Sequence, residues 1–505
     1  MNRMKRSNLL LAEMRAEELI RAYEAVGLAV AVIEADGTTV YQRFYGYADA
    51  QSRQLIDKDT IFGLASVTKS FTALAIMQLY EAGKLDIEDP ISKYIPEFSN
   101  KNQKTVRIRH LLTHSGGFFP LPRIVVDDVA AELGLDEAKD GDLAYSKALS
   151  EEGRKRVAER LDSLTSEHGL SGVPGQYFSY CNDGFGLLSE IVRLVSGEDS
   201  FAGYLNRHIL APLGMERSFC DFVRPAADKN AAKLYKKKNG VMVSSRDYHD
   251  NAFVLNGGGA MKSTLADLKK YLCMYLNKGS LGKAAAQLAK KQESGAEGTQ
   301  GKAAAEKSRV LSACGIEEMC KGQMPYLARG SYGYGLSQHQ LDDLRVIGHG
   351  GSLPGVSSNI AWSYEAGMAV IVLCNTSGVP VAQISDAFMR AYNGRSPIDR
   401  RDSWQECSWS EETLTEAAGH YASGEGTRLE IYKTASGEPG LILDGEEKPL
   451  IPVTEDAAII RNRYSDGYMR LLRREGGNIF AAAYGSRLIP KEGVFDLPDV
   501  PMEED

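Results

Sequence analysis

"GLAVAVIEADGTTVYQRFYGYAD", residues 27–49, carries the clearest architectural information in the chain. Two β-rich runs flank Asp36-Gly37, a dipeptide that tolerates positive φ and so closes a tight antiparallel hairpin. Matching strand patterns return only much later, at "LRVIGHGG" (344–351) and "VSSNIAWSYEAGMAVIVLCNTS" (356–377). The second is split by Glu365-Ala366-Gly367 into two apolar runs, which predicts a meander joining the first hairpin. Between them, roughly 66 to 280, runs such as "GFGLLSEIVRLVSG" and "LADLKKYLCMYLNKG" repeat their apolar residues at three and four, the spacing of helices. Strands from both ends of a region with a helical layer inserted between them make an α+β arrangement, an antiparallel sheet flanked by helices.

The rest of the chain divides by composition. Residues 282–308, "GKAAAQLAKKQESGAEGTQGKAAAEKS", hold almost no large apolar group and read as a solvated insertion. After the turn-rich "RSPIDRRDSW" (395–404), short strand-like pieces follow closely: "RLEIYK", "GLILDG", "AAIIRNR", "MRLLRRE" and "NIFAAAYGSRLI". They predict a small all-β, barrel-like domain over 405–505, after a main domain over 1–398. At the other end, Leu10, Met14, Ile20 and Tyr23 are expected to form the apolar side of an amphipathic starting helix. The apolar run there, Leu9 to Ala12, is too short for a signal peptide core, and no later run approaches the ~20 residues of a membrane span.

Charge and cysteine usage exclude several classes of function. The 59 basic and 67 acidic residues leave −8, and no basic stripe interleaved with aromatics suggests a nucleic-acid partner. Seven cysteines, odd in number and without C-x-x-C spacing, argue against a disulfide framework or thiolate zinc site and point to reduced thiols in the cytoplasm.

Chemistry enters at "GLASVTKSFTALAIMQLYEAGKLD", 63–86, where Ser66 precedes Lys69 by three on an otherwise apolar helical pattern. That spacing brings hydroxyl and amine onto one face, and a desolvated lysine can lose its proton far below ~10.4 and serve as the base that serine needs. About two S-x-x-K matches are expected by chance in a chain this long. The second, Ser280 to Lys283, sits in a glycine-flanked loop where nothing would bury the amine.

Tyr-x-Asn occurs at Tyr180, Tyr204 and Tyr275. The last two fall on apolar sides of helices and read as core tyrosines. Tyr180 lies in the Pro/Gly-bounded loop "GVPGQYFSYCNDGFGLL" just ahead of a helix, where functional side chains are often carried. Its phenol is the candidate proton relay, and Asn182 the candidate for orienting Lys69 or substrate. A third element, "GHGGSLPGVSSN" (348–359), ends a strand with His349 and places Gly350-Gly351 where a ligand can approach the backbone, as an oxyanion donor requires.

Ser66-Val67-Thr68-Lys69, Tyr180-Cys181-Asn182 and His349-Gly350-Gly351, in that order, resemble the three motifs of the serine β-lactamase and penicillin-binding-protein superfamily. The similarity is to its class C-like branch of β-lactamases, DD-peptidases, D-aminopeptidases and esterases, and it covers about 25 to 395. "VRIRHLLTHSGG", "LAPLGMERS", "GGGAMKSTLADLKKYL" and "YGYGL" (332–336) resemble it too. The resemblance implies acylation of Ser66, base and acid duties shared by Lys69 and Tyr180, and an oxyanion hole of Ser66 and Ser352 N–H groups. It implies no cofactor or metal. His349 stands where many members carry a lysine, which weakens the case for efficient β-lactamase activity; its charge is expected to vary around pH ~6.5. The C-terminal strands resemble the appended barrels of certain D-aminopeptidases, which can shape the cleft.

Rival readings are weaker. An α/β-hydrolase needs G-x-S-x-G, whereas Gly350-Gly351-Ser352-Leu353-Pro354 ends in proline. His110 and His114 are four apart but lack the H-E-x-x-H glutamate and read as core or capping residues. A ligand-binding protein on a retired hydrolase scaffold would have no reason to keep Ser66, Lys69 and Tyr180 together. The expected function is a cytoplasmic serine hydrolase, acting through an acyl-enzyme on amide bonds of short peptide-like substrates, D-residues included. A carboxylesterase or weak β-lactamase on the same site is the alternative.

Overall fold

The computed structural model describes residues 5–98, 105–120, 131–135, 142–166, 171–221, 223–245, 256–281, 309–398, 403–462, 466–474 and 477–493. The expected insertion at 282–308 lies outside the described residues.

The hairpin strands Gly27–Glu34 and Thr39–Asp49 are the third and second strands from one edge of a nine-stranded antiparallel sheet, with Gln54–Leu55 as the edge strand. Gly27–Glu34 pairs on its other side with Met368–Cys374, which continues the meander through Val356–Ser363 and Leu344–Leu353. Strands from early and late in the chain thus pair directly within one sheet, as the sequence pattern predicts.

Why "GLAVAVI" is apolar throughout follows from what covers it. Leu28, Val30 and Val32 face a cluster with the helices Arg6–Ala22 and Val381–Tyr392, while Ala29, Ala31 and Ile33 face the large helical layer. A strand buried on both faces loses the polar alternation of a half-exposed one.

The first helix corrects one expectation. Ile20 and Tyr23 do pack against the sheet-side cluster, but Leu10 and Met14 are 56% and 54% exposed. The buried stripe is Ala12, Ala16 and Leu19, because small side chains let the helix lie close to its neighbour Val381–Tyr392.

The helix Thr68–Glu81 runs through the middle of the helical layer, buried from Thr68 to Met77 and again at Leu79. Apolar residues on every side are what such a central helix requires. Its position forces Lys69 into the core.

Beyond residue 405 the chain forms a four-stranded and a five-stranded antiparallel sheet sharing one core, which includes Tyr421, Leu441, Ile460 and Met469. A bridge between Tyr421 and Lys491 brings the edges of the two sheets together in a barrel-like arrangement. Strand alternation gave no sign of the short helix Glu411–Ala417, capped by Ser410 accepting from Thr413 N. Among the described residues no helix is long and apolar enough to cross a membrane.

Candidate active site

Ser66 lies in a 3₁₀ turn, Ala65–Val67, that leads directly into the central helix. Ala65 has φ +47°, a left-handed conformation that costs a non-glycine residue of order 1–3 kcal/mol and persists only when its surroundings hold it. Three contacts do so: Leu64 N donates to Met261 O at 2.9 Å, Ser358 Oγ donates to Leu64 O at 2.6 Å, and Thr68 Oγ1 donates to Ala65 O at 2.6 Å. This bracing leaves Ser66 half-buried amid fully buried neighbours.

Lys69, with no solvent exposure, brings Nζ to 3.2 Å from Ser66 Oγ, 2.8 Å from Asn182 Oδ1 and 2.8 Å from Gly258 O. Burial holds its pKa well below the lysine range, with a smaller push in the same direction from Arg487. The two shorter contacts end on oxygens that can only accept. In its neutral form the amine can donate to Asn182 and Gly258 and leave its lone pair for the Ser66 hydroxyl, the geometry a general base needs. Asn182, whose Oδ1 accepts from Lys69, is the first residue of the helix Asn182–Ser196.

Tyr180 precedes Cys181, the N-cap of that helix. Its phenol lies near enough to the Ser66 side chain for Ser66 to lower the phenol pKa, and its ring centroid lies 4.7 Å from Lys69 Nζ. Burial raises the phenol pKa above the tyrosine range, while Ser66 and Arg487 pull it back. The ring stacks on His114 at 4.0 Å between centroids, and His114 Nδ1 accepts from Cys181 N at 3.0 Å. His110 Nδ1 accepts from Arg107 N at 3.1 Å, capping its helix. Tyr204 and Tyr275 stand elsewhere: Tyr204 donates to Gln78 Oε1, and Tyr275 stacks on Trp362 beside Tyr271.

The strand Leu344–Leu353 carries His349, Gly350, Gly351 and Ser352 past the Ser66 turn. Gly351 is set by close approach, because a Cβ there would fall 2.2 Å from Leu64 O and 2.4 Å from Ser358 Oγ. Ser352 follows it, exposed and in register with Ser357. His349 corrects the sequence reading. Its Nε2 shares a 2.8 Å hydrogen bond with Tyr332 OH and its Nδ1 lies 2.5 Å from Gly350 O. Burial pushes its pKa down to about 3, with the neighbouring Lys69 acting the same way, so the imidazole is neutral rather than titrating near ~6.5.

The structure thus brings Ser66, Lys69, Tyr180 and Asn182 into direct contact, with the Gly350-Gly351 strand alongside. Sequence reasoning missed Gly258, whose carbonyl binds Lys69, although "NGGG" at 256–259 signalled close backbone approach: a Cβ on Gly257 would fall 2.2 Å from Phe185 O. It also missed Tyr332, His114 as the support of Tyr180, and Arg487, for which no local motif exists. Among the described residues no group of three or more His, Cys, Asp or Glu side chains is placed to hold a metal ion.

Residues 15–393 match the family profile described as Beta-lactamase. Esterase EstB of Burkholderia gladioli is 26% identical over 306 residues, 55% of this chain and 73% of the esterase. The human serine beta-lactamase-like protein LACTB, mitochondrial, is 26% identical over 292 residues, and the chain spans about half that relative's length (52%). Among solved structures, the octameric penicillin-binding protein homologue from Pyrococcus abyssi aligns with a TM-score of 0.62 and 25% identity, covering 95% of this chain and 99% of that one.

Proposed function

This chain belongs to the Beta-lactamase family of serine hydrolases, and from that premise we propose that it hydrolyses its substrate through an acyl-enzyme on Ser66. The observation that carries this reading is the buried Lys69 amine, hydrogen-bonded to Ser66 Oγ at 3.2 Å and held from behind by Asn182 and Gly258. Lys69 takes the Ser66 proton as the oxygen attacks the scissile carbonyl, and Tyr180 passes a proton to the leaving group. Backbone N–H groups of Ser66 and Ser352 stabilise the oxyanion. Water then replaces the leaving group and is activated by the same lysine and tyrosine.

The substrate we propose is a short peptide-like amide, with D-residues accepted. A carboxylic ester is the second reading, favoured by the similarity to an esterase. The neutral His349 speaks against efficient β-lactamase action, because it supplies no cation for a β-lactam carboxylate. A cytoplasmic location is part of the proposal and is supported by seven free cysteines.

Incubation with a fluorophosphonate or a penicillin, followed by mass spectrometry, tests the reading. The expected result is one covalent adduct at Ser66 that Ser66→Ala abolishes. No adduct with either probe would instead support a binding protein on a hydrolase scaffold. A panel of D- and L-aminoacyl amides beside p-nitrophenyl esters then separates peptidase from esterase.

A further inference from the structure

The hairpin formed by Ile479–Tyr484 and Arg487–Pro490 reaches from the C-terminal sheets into the candidate site. Its tip is fixed there, since Tyr180 N donates to Ser486 O at 2.9 Å. Phe480, Ala481 and Leu488 pack with Phe119 and Tyr177 in one apolar cluster beneath it. Next to Ser486, the Arg487 guanidinium carbon lies 4.5 Å from the Tyr180 ring centroid, within cation–π range. Its Nε donates to Glu425 Oε2 at 2.7 Å and its Nη1 to Ser486 Oγ at 2.8 Å. Arg487 and Glu425 are only 21% and 22% exposed, so water screens the pair incompletely.

We propose that Arg487, clamped by Glu425, is a positioning residue of the hydrolytic site, holding Tyr180 in place and supplying a fixed positive charge beside Lys69. The inference rests on the acyl-enzyme reading of Ser66. It gives the C-terminal segment a share in the chemistry of a site whose other residues, from Ser66 to Ser352, all lie far earlier in the chain.

The charge acts on both catalytic groups in the useful direction. A neighbouring cation disfavours the ammonium of Lys69, so that more of the amine stands in its base form, and favours ionisation of Tyr180, easing proton donation to the leaving group. Lys69 also feels Cys181 and Glu425. Tyr180 feels Ser66, Glu425 and Tyr326, and has His114, Tyr332 and His349 against its ring. Burial keeps both histidines neutral and both tyrosines protonated, and raises the Cys181 thiol to about 12. Arg487 and Glu425 are therefore the fixed charges of this set, and they oppose each other.

The test is the pH dependence of fluorophosphonate labelling at Ser66 in the full chain, for wild type, Arg487→Gln, Arg487→Lys and Glu425→Gln, with thermal unfolding of each. Labelling rises as Lys69 loses its proton. Removing the cation raises the amine's proton affinity, so Arg487→Gln moves this rise to higher pH and slows labelling at pH 7 about threefold or more. Glu425→Gln removes the opposing charge and moves the rise to lower pH, while Arg487→Lys keeps it near the wild-type position. Opposite movements in the two neutralised variants support the proposal, since a merely structural loss cannot produce them. An unmoved rise, or movement in one direction for both, overturns it, as does a KM increase confined to carboxylate-bearing substrates with no movement. Should Arg487→Gln fail to fold, the direction seen in Glu425→Gln decides. Wild type unlabelled at Ser66 removes the acyl-enzyme reading itself, whereas labelled wild type with unmoved variants removes only the role of Arg487.

Discussion

Gly351 and Leu64 lie so close that a single added methyl group at Gly351 would sit 2.2 Å from the Leu64 carbonyl oxygen. Leu64 immediately precedes the strained Ala65, so the strand bearing Gly351 lies directly against the turn bearing Ser66, with the Leu64 carbonyl as the nearest atom and the Ala65 Cβ beside it. Gly351→Ala must push them apart, because neither partner is a flexible side chain. We expect a loss of about 1–3 kcal/mol in stability and at least a tenfold fall in Ser66 labelling. At Gly350 a Cβ meets nothing nearer than 3.7 Å, so Gly350→Ala is expected to remain close to wild type in urea unfolding.

The tyrosines separate by what surrounds them. Tyr180 adjoins Ser66 and Lys69, whereas Tyr204 and Tyr275 bond inside the helical layer. Lys69→Ala and Tyr180→Phe should each lower turnover by about 10²–10⁴-fold, the range for loss of a general acid or base. Tyr204→Phe and Tyr275→Phe should change it less than threefold, roughly the effect of a small packing change. Equal losses in all four variants would show that Tyr180 has no special role.

His349 gives stability a definite pH dependence. Its folded pKa, about 3, lies below the ordinary histidine value of 6.5, so between those limits the unfolded chain binds a proton that the folded chain does not. Stability therefore rises with pH through this window, is complete above 6.5, and is lost on acidification toward 3. Replacing the ring with an uncharged amide in His349→Gln should flatten the acid loss by about 1–3 kcal/mol, measured by denaturant unfolding between pH 7 and pH 4. Turnover should show no inflection attributable to this residue near pH ~6.5.

Phe480 is 2% exposed and belongs to the cluster with Phe119 that seats the C-terminal hairpin beside Tyr180. Phe480→Ala removes a buried ring at a cost of about 3–5 kcal/mol. The expected outcome is a lowered melting temperature together with slower labelling of Ser66, because the tip that meets Tyr180 loses its support. Normal labelling in a destabilised variant would show that hairpin seating and the hydrolytic site are independent.

Local pattern alone determined much of this protein. The apolar run from Gly27, the Asp36-Gly37 turn and the later meander specify the sheet, since strand alternation and turn chemistry depend on neighbours in sequence. Ser66 and Lys69 were legible for the same reason, one helical turn being enough to join them. Tertiary packing decided everything that depends on what lies across space. It buried His349 and so removed its charge, selected Ala12 and Ala16 over Leu10 and Met14 as the contact face of the first helix, and aimed the Gly258 carbonyl at Lys69. It also carried Arg487, remote in the chain, onto the ring of Tyr180. Desolvation and close approach are properties of an enclosed volume, and no stretch of sequence encloses one until distant segments pack around it.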